Sequence, residues 1–321
     1  MEPVAQQVAG SGDIRDPLLK NPLSQGALLS AIRPTTGTRR LCLSSRRGTG
    51  ATRVKNILSL LPPLILLGAY VAFWAWEGIS AAGPQSLGWR RRGRNLALSA
   101  FGLTIGGLSG GGLLALSATA EARNWALAAF AHAHPATVTV AGVLVLDFAD
   151  YWRHRISHSV PLLWRVHRVH HSDARMDVTT SLRSHPLEFA LRPFFLGTAI
   201  GVFGVPTLSV LLFPVLQLPV LVFQHANVRL PRQLERGLAW LIVTPGMHAV
   251  HHSRQVQETN SNYATFLSGW DRVFHSLRPS EPPVAIGLDG FDGEDAQSFL
   301  GMLGEPWRHR LQRPARQQSV P

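Results

Sequence analysis

Cysteine is all but missing from this chain: Cys42 is the only one in 321 residues. An intramolecular disulfide is thereby excluded, and so is a four-thiolate metal or cluster site within one chain. Any metal must be held mainly by nitrogen and oxygen. Charge is scarce as well. Charged residues make up 16% against 45% hydrophobic ones, where soluble domains carry about 25% charged residues. That is too little polar surface to cover a water-soluble globule of this size, so lipid is the expected solvent. No dinucleotide fingerprint and no solenoid repeat is present.

Acidic residues are the scarcer of the two charged kinds, 19 against 31 basic, giving a net charge of +12. The placement of the basic residues argues against nucleic acid. They gather in the N-terminal tail, in "WRRRGRN" ahead of an apolar run, around clustered histidines and at the C-terminus. Basic residues flanking apolar spans are what cytoplasmic loops and anionic headgroups select.

Four apolar regions follow an N-terminal stretch, residues 1 to 53, that is rich in Gly, Ser, Thr and Arg and reads as a disordered extension. No apolar core follows its first residues, so a typical signal peptide is not expected. The first span is "ILSLLPPLILLGAYVAFWAW" (57–76), where Pro62-Pro63 predicts a kink or a re-entrant helix. The second is residues 96–118, rich in small residues that suit close helix packing. The third runs from Pro135 to Asp150. The fourth, residues 194–223 with three prolines, predicts a helical hairpin. Trp74, Trp76, Trp152 and Trp164 fall near span ends and are expected as interfacial anchors.

What is abundant is histidine, 14 in all, ten of them between residues 154 and 252. His154 and His158 are spaced i, i+4, so a helix presents both rings on one face. His167 and His171 repeat that spacing with His170 between them, and His248 and His252 repeat it again with His251. His225 and His185 stand alone between these boxes. Because a hairpin crosses and returns, both box groups are expected on the same face. Three boxes and a lone histidine supply about nine nitrogens, more than the roughly four of a structural zinc site; two metals would use them all. Imidazole alone does not choose among zinc, copper, iron and nickel. His132, His134, His275 and His309 read as surface or packing residues. Arg153, Arg155, Arg165 and Arg168 are expected to bind lipid headgroups.

The order H-x(3)-H, H-x(2)-H-H and a distant H-x(2)-H-H after a hairpin resembles the fatty acid hydroxylase and sterol desaturase superfamily. So do "DYWRHRISH", "LWRVHRVHHS", "MDVTTSLRSHPLE", "FQHANVRLP", "HAVHHSRQVQETNSNYA" and "WDRVF", which are similar to its bacterial members. The resemblance covers roughly residues 54 to 275. It implies an all-α integral membrane protein with about four transmembrane helices, hairpin included, and a cytoplasmic histidine-box cap in a bacterial inner membrane. It also implies a membrane domain over 54–280 and a C-terminal tail over 281–321.

Carried over residue by residue, the implied metal ligands are His154, His158, His167, His170, His171, His225, His248, His251 and His252, with His185 a tenth. The implied cofactor is two iron ions, zinc replacing iron in recombinant protein. The implied reaction is O2-dependent hydroxylation of a lipid C–H bond, with desaturation on the same scaffold as the alternative. Electrons would come from a separate ferredoxin, cytochrome or reductase. A histidine-rich metal transporter would place its ligands mid-span, and a zinc hydrolase would need fewer of them. Asp150, Asp147 and Asn262 are expected to orient the ligating rings from behind. Two departures from the family pattern are His275, where Gly is common, and Ser184 before the His-Pro pair.

Overall fold

A computed structural model describes residues 47–83, 88–125, 134–279 and 285–308. Among these residues every regular element is helical, and strand-like pairing is confined to isolated bridges such as Ser253 with Ile286. The long helices are α1 (Arg47–Ile79), α2 (Trp89–Ala122), α3 (Pro135–Ser159), α5 (Glu188–Phe203) and α6 (Thr207–His225). Shorter ones carry or frame the histidine boxes: α4 (Pro161–His171), α7 (Arg232–Leu238), α8 (Pro245–His251), α9 (Val256–Thr259) and α10 (Gly269–Val273). Two more, α11 (Glu294–Gln297) and α12 (Phe299–Gly304), come from the segment read as a tail. The N-terminal extension up to residue 46, His132 and His309 lie outside the described residues.

Proline places several boundaries. Pro135 and Pro161 sit at the first helical turns of α3 and α4, where a missing N–H is no loss. The break between those two helices, at Val160, turns the chain so that boxes one and two face each other. The expected hairpin turns at Gly204, whose φ of 59° is left-handed. Its two legs are held by α3, which packs against both. The α3–α6 crossing is closest at Gly142, where a side-chain carbon would overlap Ser209 Oγ. Ser209 Oγ donates instead to the Thr139 carbonyl at 2.9 Å. Val143, Leu146, Leu196, Ile200, Val205 and Phe213 form the apolar core of this three-helix contact.

The helix α1 continues through Pro62-Pro63, and its apolar part, Pro63–Ile79, begins at that pair. Its inner face, with Tyr70, Phe73 and Trp76, packs on Val222 and Phe223 of α6. Outward, the long helices present bare apolar side chains: Leu64, Leu67 and Val71 of α1, Phe101 and Leu103 of α2, Val140 of α3 and Phe194 of α5 are all more than half exposed. Soluble proteins rarely leave so much contiguous apolar surface open. Among the described residues α6 is long and apolar enough to cross a membrane by itself, and α2 qualifies if its halves, bent by 44°, count as one span.

Polar residues are inside. Asp150 accepts from Arg153 at 2.7 Å, Arg192 at 3.2 Å, Gln217 at 2.6 Å and Thr265 at 2.9 Å, tying α3 to α5 and α6 below the histidines. At the N-terminus of α2, Arg91 forks onto Asp173 at 2.6 and 2.7 Å and reaches Asp177 at 2.7 Å, while Arg92 meets Asp177 at 3.2 Å. The basic "WRRRGRN" run is therefore largely an internal clamp on the loop after box two. Arg153 and Arg168 also depart from their expected headgroup role. They are 8% and 2% exposed and are paired with Asp150, Glu188 and Glu305. A buried guanidinium needs a carboxylate partner; Asp150 lies one helical turn before Arg153, whereas Glu188 and Glu305 come from distant parts of the chain.

The Gly142 contact yields a direct test. Gly142→Val should overpack the α3–α6 crossing at a cost of about 1–3 kcal/mol, lowering the midpoint of thermal unfolding in detergent by several degrees. An unchanged midpoint would mean that the crossing is not tight there.

Candidate metal centre

Each box arrives at the site for a local reason. His154 and His158 end α3, and His167, His170 and His171 end α4. His225 is the last residue of α6, and α8 carries His248 and His251 with His252 as its C-cap. Helices entering from several directions thus bring their C-terminal turns together. The α5–α6 excursion leaves from and returns to this place: Glu188 opens α5 beside His167, and His225 closes α6 beside His170.

The nine histidines sort into two groups. His154, His158, His167, His171 and His251 form one; His170, His225, His248 and His252 form the other. All nine are buried, none above 8% exposure. Within the first group the Nε2 atoms of His154 and His167 stand 3.0 Å apart, as do those of His154 and His251, and His171 to His167 measures 3.3 Å. His158 packs against the other four rings at centroid distances of 4.7 to 5.2 Å. In the second group Nε2 of His225 is 3.2 Å from that of His170 and 2.9 Å from that of His248, with His248 to His252 at 3.2 Å.

Three of these close pairs, His154 with His167, His154 with His251 and His170 with His225, are not hydrogen bonds, because the far nitrogen of each ring fixes its tautomer. His154 Nδ1 donates to the Tyr263 carbonyl at 2.7 Å, and His251 Nδ1 to the Ser261 carbonyl at 2.7 Å. His170 Nδ1 donates to Arg183 O at 3.1 Å, and His225 Nδ1 to Leu221 O at 2.7 Å. His167 Nδ1 donates to the Glu188 carboxylate at 3.0 Å. A carbonyl or carboxylate only accepts, so each of these rings carries its proton on Nδ1 and turns a bare lone pair inward on Nε2. Lone pairs facing each other at 3 Å repel unless a cation lies among them. Two nitrogens about 2.1 Å from one ion and at right angles stand about 3.0 Å apart. The residues fit a metal in each group.

His185 is buried but is not brought to either group. Its Nε2 donates to Leu303 O at 3.1 Å, and its Nδ1 accepts from Leu187 N at 3.2 Å. Asp150, Asp147 and Asn262 touch no imidazole. Asp150 serves the arginines, and Asp147 accepts from Trp270 Nε1 at 2.8 Å and from Leu267 N. Asn262 acts through the backbone: at a left-handed φ of 50°, it turns the chain so that the carbonyls on either side of it meet His251 and His154. Its side chain staples that turn, donating to Met247 O and Arg278 O and accepting from Arg278 N. Asp271 pins the same turn by accepting from the amides of Tyr263 and Ala264.

Glu188, an acid near the boxes in the "HPLE" stretch, is the carboxylate that orients a ring. It joins His167 and Arg153 at once. Trp164 is likewise no interfacial anchor. It is 8% exposed, with its ring 4.9 Å from His158 and 5.4 Å from His171. His134 accepts from Ala136 N at the start of α3, and His275 is exposed at a φ of 54°, the left-handed conformation that explains a glycine preference there.

Burial, then the neighbouring imidazoles, holds His170, His171, His248 and His252 well below the usual histidine pKa; burial takes His251 to about 3. The rings stay neutral and available as ligands. A depressed folded-state pKa means that below about pH 6.5 the unfolded chain takes up protons the native site refuses. Metal-free protein should accordingly lose stability from pH 7.5 to 5.5, by at most about 1.4 kcal/mol per histidine per pH unit below 6.5. Denaturant titrations of apoprotein at several pH values would show it. A flat profile would mean that these rings are open to protons.

Residues 139–276 match the family model for fatty acid hydroxylase. The chain is 32% identical over 157 residues to an alkylglycerol monooxygenase of Xenopus tropicalis, covering 45% of this chain and 31% of that protein. It is 27% identical over 172 residues to an ornithine lipid hydroxylase of Rhizobium tropici, covering 53% and 50%. Against human cholesterol 25-hydroxylase the identity is 26% over 145 residues, covering 44% and 52%. The chain thus spans between about a third and a half of the length of these relatives. No solved structure matches significantly. The matched segment is the one that carries all nine clustered histidines, and over it the chain is similar to the fatty acid hydroxylase family.

Proposed function

We propose that this protein is a membrane-bound, O2-dependent lipid hydroxylase with two iron ions in its histidine groups. The ligand set is His154, His158, His167, His171 and His251 for one ion and His170, His225, His248 and His252 for the other. The observation that carries this reading is the tautomer lock, five rings whose outer N–H is committed so that Nε2 faces inward without a proton. His185 is left out of the set because both of its nitrogens are engaged elsewhere. The named activities of the relatives, all of them lipid oxidations, support the reaction class.

Iron so held supplies the O2 activation needed to attack an unactivated C–H bond. The chain's own contribution is to keep the ligands neutral, fix their rings and exclude water. Asp150, Arg153, Arg192 and Glu188 form a charge-balanced layer beneath the first group. In the proposed topology α1, α2, α3 and the α5–α6 pair form the membrane stem of a domain over 54–280. The histidine end faces the cytoplasm of a bacterial inner membrane. A lipid enters sideways between the exposed apolar helices, and a separate ferredoxin, cytochrome or reductase delivers electrons to the cytoplasmic side.

Oxygen labelling tests the reaction. Membranes containing the protein, given ¹⁸O2 and reductant, should yield a lipid carrying ¹⁸O as a new hydroxyl, and His251→Ala membranes should yield none. A product two hydrogens lighter and unlabelled would make the protein a desaturase. An unchanged lipid profile in the presence of the intact, iron-loaded protein would contradict the proposal.

A further inference from the structure

Tyrosine is rare in this chain, three residues against 14 phenylalanines, yet two of the three stand together beside the five-histidine group. The Tyr263 ring centroid lies 5.2 Å from that of His158, 5.9 Å from His251 and 6.1 Å from His154. Tyr151 follows at 6.4 Å from Tyr263, and Trp152 at 5.8 Å from Tyr151. Both tyrosines are buried, at 2% and 0% exposure, whereas Trp152 is half-buried with the Arg155 guanidinium 5.4 Å above its ring. Three oxidisable rings in edge-to-face contact therefore lead from the imidazoles to an indole that solvent reaches.

The middle ring has a route for its proton. Tyr151 Oη accepts from Arg155 Nη1 at 2.9 Å. Its own proton then points to Ser276 Oγ at 2.8 Å, and Ser276 donates onward to Asp271 Oδ1 at 2.7 Å. Packing asks for none of this, since phenylalanine would fill either ring position. Burial also raises the Asp271 carboxyl above its ordinary pKa, which makes it a better proton acceptor.

We propose that Tyr263, Tyr151 and Trp152 form a one-electron relay that drains oxidising equivalents from the histidine site when O2 has been activated with no substrate carbon in place. The relay rests on the oxygenase reading above. In the first step one electron passes from Tyr151 through the Tyr263 ring to the O2-derived oxidant at the site. The Tyr151 proton moves to Ser276 as the Ser276 proton moves to Asp271. The products are a neutral Tyr151 phenoxyl radical, a protonated Asp271 and an oxidant lowered by one electron. In the second step Trp152 gives Tyr151 an electron and Asp271 returns the proton through Ser276. The indole radical cation that remains takes its electron from an external one-electron reductant of the thiol or ascorbate class. The imidazole ligands are spared oxidation.

The test uses purified, iron-loaded protein in detergent micelles, reduced with dithionite, mixed with O2 in the absence of lipid substrate and freeze-quenched. Electron paramagnetic resonance should show a tyrosyl or tryptophanyl radical in the native protein. The signal should fall at least tenfold in Tyr151→Phe and persist in Tyr70→Phe, whose ring lies on α1. In Tyr151→Phe and in Trp152→Phe, mass spectrometry should find oxidised histidine-box peptides accumulating several-fold faster at unchanged iron content. Trp152→Phe keeps an aromatic ring in place and stands in if Tyr151→Phe folds poorly. A native-sized radical in the Tyr151→Phe, Tyr263→Phe double variant would overturn the relay. So would O2 consumption by the native protein without any organic radical. Native iron-loaded protein that consumes no O2 would overturn the oxygenase reading, and the relay with it.

Discussion

Nine imidazoles converge in a buried space, five of them locked with a bare lone pair turned inward, and the rest of this molecule is arranged around that constraint. Such an array is unfavourable by itself. Each ring has left water, and the inward nitrogens repel one another until cations lie among them. The fold tolerates the arrangement in part because the outer nitrogens of five rings are satisfied, four of them by main-chain carbonyls. Metal affinity and fold stability are coupled in such a site, since binding relieves what folding has assembled.

Holding carbonyls in place takes a second layer of polar residues, and here that layer is charged. Asp271 fixes the turn that offers the Tyr263 carbonyl, and the Asn262 staple fixes the same turn from its other side. Arg183 lends its carbonyl to His170 while its guanidinium, 1% exposed, donates to Val169 O, Ser172 and Gln297. Residues from the C-terminal segment join in: Gln297 reaches Ser172 O, Glu305 pairs with Arg168, and Gly287 donates to His252 O. A polar interior inside an apolar exterior inverts the usual pattern, which fits a lipid solvent.

What could be read from the sequence was whatever repeats at helical spacing. The i, i+4 histidines, the hairpin expected over residues 194–223 and the return of its two ends to one place follow from periodicity, length and proline content. The groups behind the rings could not be read that way. Carbonyls of Tyr263, Ser261, Arg183 and Leu221 carry no side-chain signature, and Glu188 meets His167 only because α5 starts where α4 ends. Asp150 looked like a ring-orienting acid because it lies one turn before His154. It serves Arg153 and Arg192 instead, since a buried guanidinium demands a carboxylate more strongly than a neutral imidazole does. The partners of Arg91 in "WRRRGRN", Asp173 and Asp177, were out of reach of spacing in the same way, lying more than 80 residues on.

The account stands on two separate cation positions, one per histidine group. Metal analysis of the purified protein, by mass spectrometry of total metal with Mössbauer spectroscopy of ⁵⁷Fe-grown material, addresses it most directly. Two ions per chain, with iron in both positions in active preparations, is the predicted result. A saturated stoichiometry of one ion per chain, with all nine histidines intact, would contradict it.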